Sequence, residues 1–172
     1  MSSSVLFDEA SIARRVESLA NEMAAAMPSD LVVAGILTAS FVFVADLVRA
    51  LDRAGAAPRV EFLHLASYGG GRVAGDLRQL GAAPQGLTGR AVLIVDTVAD
   101  TGRSLAAARR ILLTRGAGLV RACILVDKVG WARVDPMIDF VGFSAPANRF
   151  LVGYGLDDAG TLRHRRCIAT VT

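Results

Sequence analysis

The stretch that most restricts the fold is residues 90–105, RAVLIVDTVADTGRSL. Residues 91–95 are five apolar side chains in a row, rich in β-branched residues, and the run ends on Asp96. Such a run fits a strand covered on both faces. Asp100, Thr101, Gly102, Arg103 and Ser104 follow, then an Ala/Arg/Leu-rich segment of helical composition. The order is strand, turn, helix, and the turn stands at the carboxyl end of the strand, where open α/β sheets bind ligands. Free N–H groups at the start of a helix, with the Thr101 and Ser104 hydroxyls, form a ready phosphate site. Carboxylates beside a phosphate repel it unless a divalent cation or sugar hydroxyls intervene. The pattern therefore points to a phosphorylated sugar rather than bare phosphate.

The rest of the chain fits around this unit. Residues 7–27 place Ile12, Val16, Leu19 and Met23 at helical spacing and stop before Pro28. Residues 31–37 read as a first buried strand, 40–54 as a helix and 60–66 as a second strand. Residues 67–75 hold four glycines and read as a flexible loop, and 79–89 are turn-rich. Residues 91–95 are the third strand, 104–114 a helix, 120–126 a fourth strand and 136–142 the carrier of a fifth; 150–172 are mixed. Strands alternating with helices predict an α/β fold with a parallel, doubly wound sheet flanked by helices.

Composition removes several alternatives. At 172 residues and 53% hydrophobic, the chain is sized for one domain, 1–172, with a full core. A net charge of +3 with scattered arginines gives no nucleic-acid footprint. The longest apolar stretch, 31–45, is broken by Thr38 and Ser40, so no membrane partner is expected. Residues 1–4 lead into an acidic amphipathic segment rather than a secretory signal, and a cytoplasmic protein is expected. Cys123 and Cys167 make neither a disulfide framework nor a zinc site. Eighteen of the 19 basic residues are arginine, and Lys128 is the one lysine. That is either chance or the mark of a place that needs a compact ammonium rather than a planar fork.

VLIVDTVADTGRSL resembles the phosphoribosyl pyrophosphate motif of the type I phosphoribosyltransferase family: an apolar strand, two acidic positions, then a D-T-G-x-[ST] loop. Further segments are similar to the hypoxanthine-guanine branch. ILTASFVFVADL resembles its first active-site loop and helix, ASYGGG its mobile second loop, and LVDK and FVGFSAPANRFLVGYGLD its purine-binding half. The resemblance implies a parallel twisted sheet with a small hood built from the terminal segments. It implies displacement of pyrophosphate from phosphoribosyl pyrophosphate by an oxopurine base, with Mg²⁺, in a homodimer or homotetramer.

The same resemblance implies roles. Asp100 would be the catalytic base. Asp96, Thr97, Thr101, Gly102, Arg103 and Ser104 would hold the phosphate and ribose. Lys128 would reach the purine 6-oxo group, Phe150 would stack on the ring, and Leu151 would offer backbone polar groups. Thr38, Ala39 and Arg163 would face pyrophosphate, with a cis peptide falling at Leu37–Thr38. Ser67 and Tyr68 would belong to the lid, and Asp96 and Asp157 would be linked to the metal. Residue chemistry alone leaves ordinary roles open beside these: a helix N-cap for Asp100, a solvated first-turn Arg103, a solvated strand-end Lys128 and a core Phe150.

The sequence departs from the family pattern twice. Thr97 stands at the second acidic position, and Thr38–Ala39 stand where a basic residue or arginine precedes a glycine. Both departures fall on the pyrophosphate and ribose–metal side. The pattern fits an enzyme, and it also fits a weakened or inactive phosphoribosyltransferase-fold protein that binds a purine nucleotide or phosphoribosyl pyrophosphate as a regulator. Transfer to a different base is a third possibility.

Overall fold

The computed structural model describes residues 3–67, 77–130, 134 and 137–171. In chain order the elements are β1 (Ser3–Phe7), α1 (Glu9–Ala26), β2 (Val32–Leu37), α2 (Phe41–Arg53), β3 (Arg59–Ser67) and β4 (Leu77–Leu80). Then come β5 (Ala91–Ala99), α3 (Arg103–Thr114), β6 (Leu119–Val129), β7 (Phe140–Pro146), β8 (Phe150–Val152) and β9 (Ile168–Val171). Among the described residues no helix is long and apolar enough to cross a membrane.

Six strands form one sheet in the order β4-β3-β2-β5-β6-β7, with β5 inside it. Residues 92–97 of β5 are all buried, and they serve two cores by alternation. Leu93 and Val95 face one way, onto Leu19 and Met23 of α1 and Phe43, Leu47 and Leu51 of α2. Val92 and Ile94 face the other way, onto Leu105, Ala108 and Leu112 of α3. Helices thus cover both faces, which is why this strand carries an unbroken apolar run. Each Leu, Ile or Val buried this way contributes about 1.5–3 kcal/mol.

The sequence-based elements need four corrections. The helix expected over 7–27 is α1, and it starts only after Asp8, whose carboxylate accepts the Ser11 amide at 2.7 Å. The residues before it form β1, which pairs antiparallel with β9, and β9 pairs with β8. This three-stranded sheet is the hood expected from the terminal segments. Second, the sheet is mixed rather than purely parallel, because β4 runs antiparallel along β3 at one edge. Its half-exposed L-R-Q-L sequence has too little apolar content to read as a strand. Third, β5 and β6 run on past Val95 and Val126 to Ala99 and Val129, so Asp96, Thr97 and Lys128 lie within strands. Fourth, the last parallel strand is β7, displaced toward the C-terminus from the expected 136–142; Pro136 lies outside the described residues.

The chain path creates a crevice. From β2 it winds outward to β3 and β4, then returns to the far side of β2 as β5 and winds the other way. The β2–β5 ladder stops at the pair Gly35–Val95. The β2–β3 ladder continues to Leu37–His64 and the β5–β6 ladder to Ala99–Asp127. Beyond Gly35 and Val95 the two middle strands therefore part, at the point where sheet order reverses, which is the ligand-binding position of this architecture.

Candidate active site

Two loops flank the crevice. From β2 comes the turn at residues 38–40, entered through a cis peptide at Leu37–Thr38, where the resemblance implied one. From β5 comes the turn at residues 100–102 leading into α3. Gly102 takes φ +75° at the start of the helix, a conformation that a Cβ disfavours, and it brings no side chain to cap the helix. The first helical bond is from the Ala106 amide to the Gly102 carbonyl, so the amides of residues 103–105 precede the helical ladder. Asp100 stands two residues before the cap position and is not the helix cap. A small pocket, about 100 Å³, is lined by Asp96, Asp100, Thr101, Gly102, Arg103 and Ser104. The hydroxyls and amides that line it suit a phosphate group.

Strand alternation separates the two residues at the acidic positions. Asp96 shares the face of Val92 and Ile94 and lines this pocket, and Thr97 shares the face of Leu93 and Val95. Asp96 is buried, and its Oδ1 accepts the Thr97 amide at 2.7 Å. Burial pushes its carboxyl up to about 7, and the backbone donor offsets only part of that. The unfolded carboxyl titrates near 3.8. Between those values the folded chain holds a proton that the unfolded chain has lost. Stability from this group is thus full below about pH 4, falls as pH rises toward 7, and is level above it. The metal-free Asp96→Asn protein is expected to gain about 2–3 kcal/mol on wild type between pH 5 and pH 8. Urea titrations at the two pH values measure it; a pH-independent difference would mean that Asp96 is already ionised at pH 5.

Asp100, which lines the pocket, accepts a hydrogen bond on Oδ2 from Lys128 Nζ at 3.3 Å. The lysine side chain is 12% exposed and the aspartate 47%. Lys128 is therefore a largely covered ammonium in β6, not a solvated strand-end charge. β7 runs parallel beside β6 to its end, where Ala147 donates its amide to the Val129 carbonyl just before β8 begins. There Phe150 is 51% exposed and is not a core residue, while Leu151 beside it is buried.

The pyrophosphate-side residues are arranged differently. Thr38 is exposed and Ala39 half-buried. Arg163 donates to the Gly155 carbonyl at 2.6 Å and pairs with Asp157 at 2.7 Å. Asp157 also accepts the Gly160 amide. The two residues implied for pyrophosphate and metal are thus partners of each other in the hood. Ser67 closes β3, and Tyr68 lies outside the described residues. A larger cleft, about 550 Å³, opens between α1, α2 and the hood and includes Arg163, but no residue of the 96–105 turn lines it. Its Arg49, Arg53 and Arg166 are paired with Asp46, Glu17 and Glu9. Gly155 is a site residue that the sequence does not single out; the G-Y-G triplet at 153–155 is the available signal, because such glycines mark close backbone approaches.

Comparison with known proteins fits this geometry. The profile of the phosphoribosyl transferase domain matches residues 2–159, and the chain belongs to that family. Its relatives put it in the hypoxanthine-guanine branch. It is 38% identical over 156 residues to the hypoxanthine-guanine phosphoribosyltransferase of Aquifex aeolicus, covering 89% of this chain and 85% of the relative. It is 34% identical over 171 residues to the hypoxanthine phosphoribosyltransferase of Escherichia coli, covering 97% and 94%. Among solved structures, the Trypanosoma cruzi hypoxanthine phosphoribosyl transferase superposes with a TM-score of 0.90 at 32% identity, covering 98% of this chain and 91% of that one.

Proposed function

We propose that this protein is a purine-salvage enzyme that transfers the 5-phosphoribosyl group of phosphoribosyl pyrophosphate to hypoxanthine or guanine. The observation that carries this reading is the Asp100–Lys128 pair, set at 3.3 Å beside the uncapped start of α3. One group takes a proton, the other donates to a carbonyl, and both stand next to the pocket suited to phosphate.

The 5′-phosphate sits on the amides of residues 103–105 and the Thr101 and Ser104 hydroxyls, with Arg103 adding charge. Each charge-assisted bond contributes about 1.5–3 kcal/mol. Asp96 holds the ribose hydroxyls. The purine lies over Phe150, beside Leu151, with its 6-oxo group on Lys128. The ring nitrogen bonds to the ribose anomeric carbon as the bond to pyrophosphate breaks, and Asp100 takes the ring N–H proton. Lys128 exchanges its bond to Asp100 for the 6-oxo group, which leaves the Asp100 carboxylate open to the ring N–H.

Magnesium suits this donor set. Mg²⁺ takes oxygen ligands, usually one or two carboxylates plus substrate phosphates and water. Asp96, a buried carboxylate that accepts the Thr97 amide, would hold it on the ribose side, and Asp157, which pairs with Arg163, on the hood side. No cluster of three acidic, histidine or cysteine side chains occurs among the described residues. The ion, when bound, neutralises charge on the leaving pyrophosphate. A homodimer or homotetramer is the assembly that goes with this reading.

The direct test is pyrophosphate release from phosphoribosyl pyrophosphate, Mg²⁺ and hypoxanthine or guanine; tight nucleotide binding with no turnover on any base would overturn the reading. Lys128→Ala is expected to raise KM for either oxopurine about 10-fold to 100-fold, the loss of one charge-assisted bond. Steady-state titration of the base at saturating cosubstrate checks it; an unchanged KM would remove Lys128 from the purine site.

A further inference from the structure

Thr97 stands where the family pattern has an acid, and its surroundings give it another task. It is fully buried, and its Oγ1 donates to the Ala39 carbonyl at 2.9 Å. Thr97 lies just beyond Val95, the last β5 residue laddered to β2, and Ala39 lies in the turn after β2. The hydroxyl thus bridges the two middle strands where their backbone bonds have stopped. Gly155 of the hood also lies against the Ala39 carbonyl oxygen. Three segments meet at this one oxygen: the end of β5, the 38–40 turn and the hood.

We propose that Thr97 is a positioning residue whose buried hydroxyl sets the height of the 38–40 turn over the crevice, and that a carboxylate at 97 would disrupt this turn rather than restore a missing function. This rests on the pyrophosphate-side role given above to Thr38 and Ala39. An ionised carboxylate has no proton to donate, so an Asp here either loses this bond or must hold its proton against neutral pH. At position 97 it would meet the Ala39 carbonyl oxygen, acceptor against acceptor. An unpaired acceptor buried against another acceptor is unfavourable, and it is relieved by moving the turn away. Threonine satisfies the same oxygen with a donor and adds no charge.

Three variants test this: Thr97→Ser, which keeps the hydroxyl; Thr97→Val, which keeps the shape; and Thr97→Asp. KM for phosphoribosyl pyrophosphate is expected to rise at least about 10-fold in Thr97→Val, equivalent to 1.4 kcal/mol, and further in Thr97→Asp. KM for the base should stay within about two-fold, and Thr97→Ser should recover most of the loss. A second readout needs no turnover. The Ser40 and Phe41 amides bond to the Ile36 and Thr38 carbonyls within this turn. Their hydrogen exchange should speed up in Thr97→Val and Thr97→Asp but not in Thr97→Ser. Wild-type kinetics in Thr97→Val, or unchanged exchange at both amides, overturns the proposal. So does higher activity in Thr97→Asp. If the wild-type protein has no transferase activity, the functional reading fails, and the exchange pattern still decides whether Thr97 holds the turn.

Discussion

Asp100→Asn is expected to lower kcat about 10²–10⁴-fold, the usual contribution of a positioned general base. KM for phosphoribosyl pyrophosphate should move little, because the phosphate-holding amides of residues 103–105 and the hydroxyls of Thr101 and Ser104 are untouched. The variant should also fold normally. The Asp100 side chain is 47% exposed, and Gly102 rather than Asp100 opens α3, so no helix cap is lost. Asparagine keeps an oxygen for Lys128 but cannot take the ring proton. This separates the base from the ion pair: if the pair alone mattered, the loss would show in KM for the purine. Steady-state kinetics with hypoxanthine, beside calorimetric binding of phosphoribosyl pyrophosphate, gives both numbers. A fall in kcat of less than about tenfold would mean that the proton leaves by another route.

Asp100 is legible in the amino-acid sequence, while other parts of the molecule are hidden there. The run 91–95 is legible because β5 is covered on both faces, so nothing polar interrupts it. Its last residues are not legible. Asp96 and Thr97 read as the end of a strand, because polar side chains usually leave the core there. Here the strand continues, and each polar side chain finds a buried bond, Asp96 with the Thr97 amide and Thr97 with Ala39. Lys128 stands out as the single lysine and by its LVDK context, but its partner Asp100 cannot be read from spacing. That contact depends on the parallel register of β5 and β6, which sets Ala99 against Asp127. The hood sheet is harder still. It pairs Ser3 with Val171, two chain ends in short strands with no local periodicity to announce the pairing. Local pattern thus finds elements that bury a face by themselves and misses those completed by distant chain.

The same distant contact makes Gly155→Ala the second variant with a large expected effect. Gly155 takes φ +94°, which disfavours any side chain, and a Cβ built on it would lie 2.0 Å from the Ala39 carbonyl oxygen. Gly155 cannot retreat freely: its amide donates to the Arg163 carbonyl at 3.0 Å, and its own carbonyl accepts the Arg163 guanidinium at 2.6 Å. The strain must pass to the 38–40 turn or break the hood. We expect a stability loss of about 3 kcal/mol and a fall in kcat/KM for phosphoribosyl pyrophosphate of about 10²-fold, as when a positioning group moves by an ångström. Gly55→Ala supplies the comparison, because Gly55 has φ +85° with open space where its Cβ would stand. It carries the backbone cost without the collision, so it should lose only about 1 kcal/mol and keep wild-type kinetics. Urea unfolding and steady-state assays on both variants separate the two costs. Equal losses in both would mean that the hood does not press on the Ala39 carbonyl, and the meeting of the three segments at that oxygen would have no mechanical consequence.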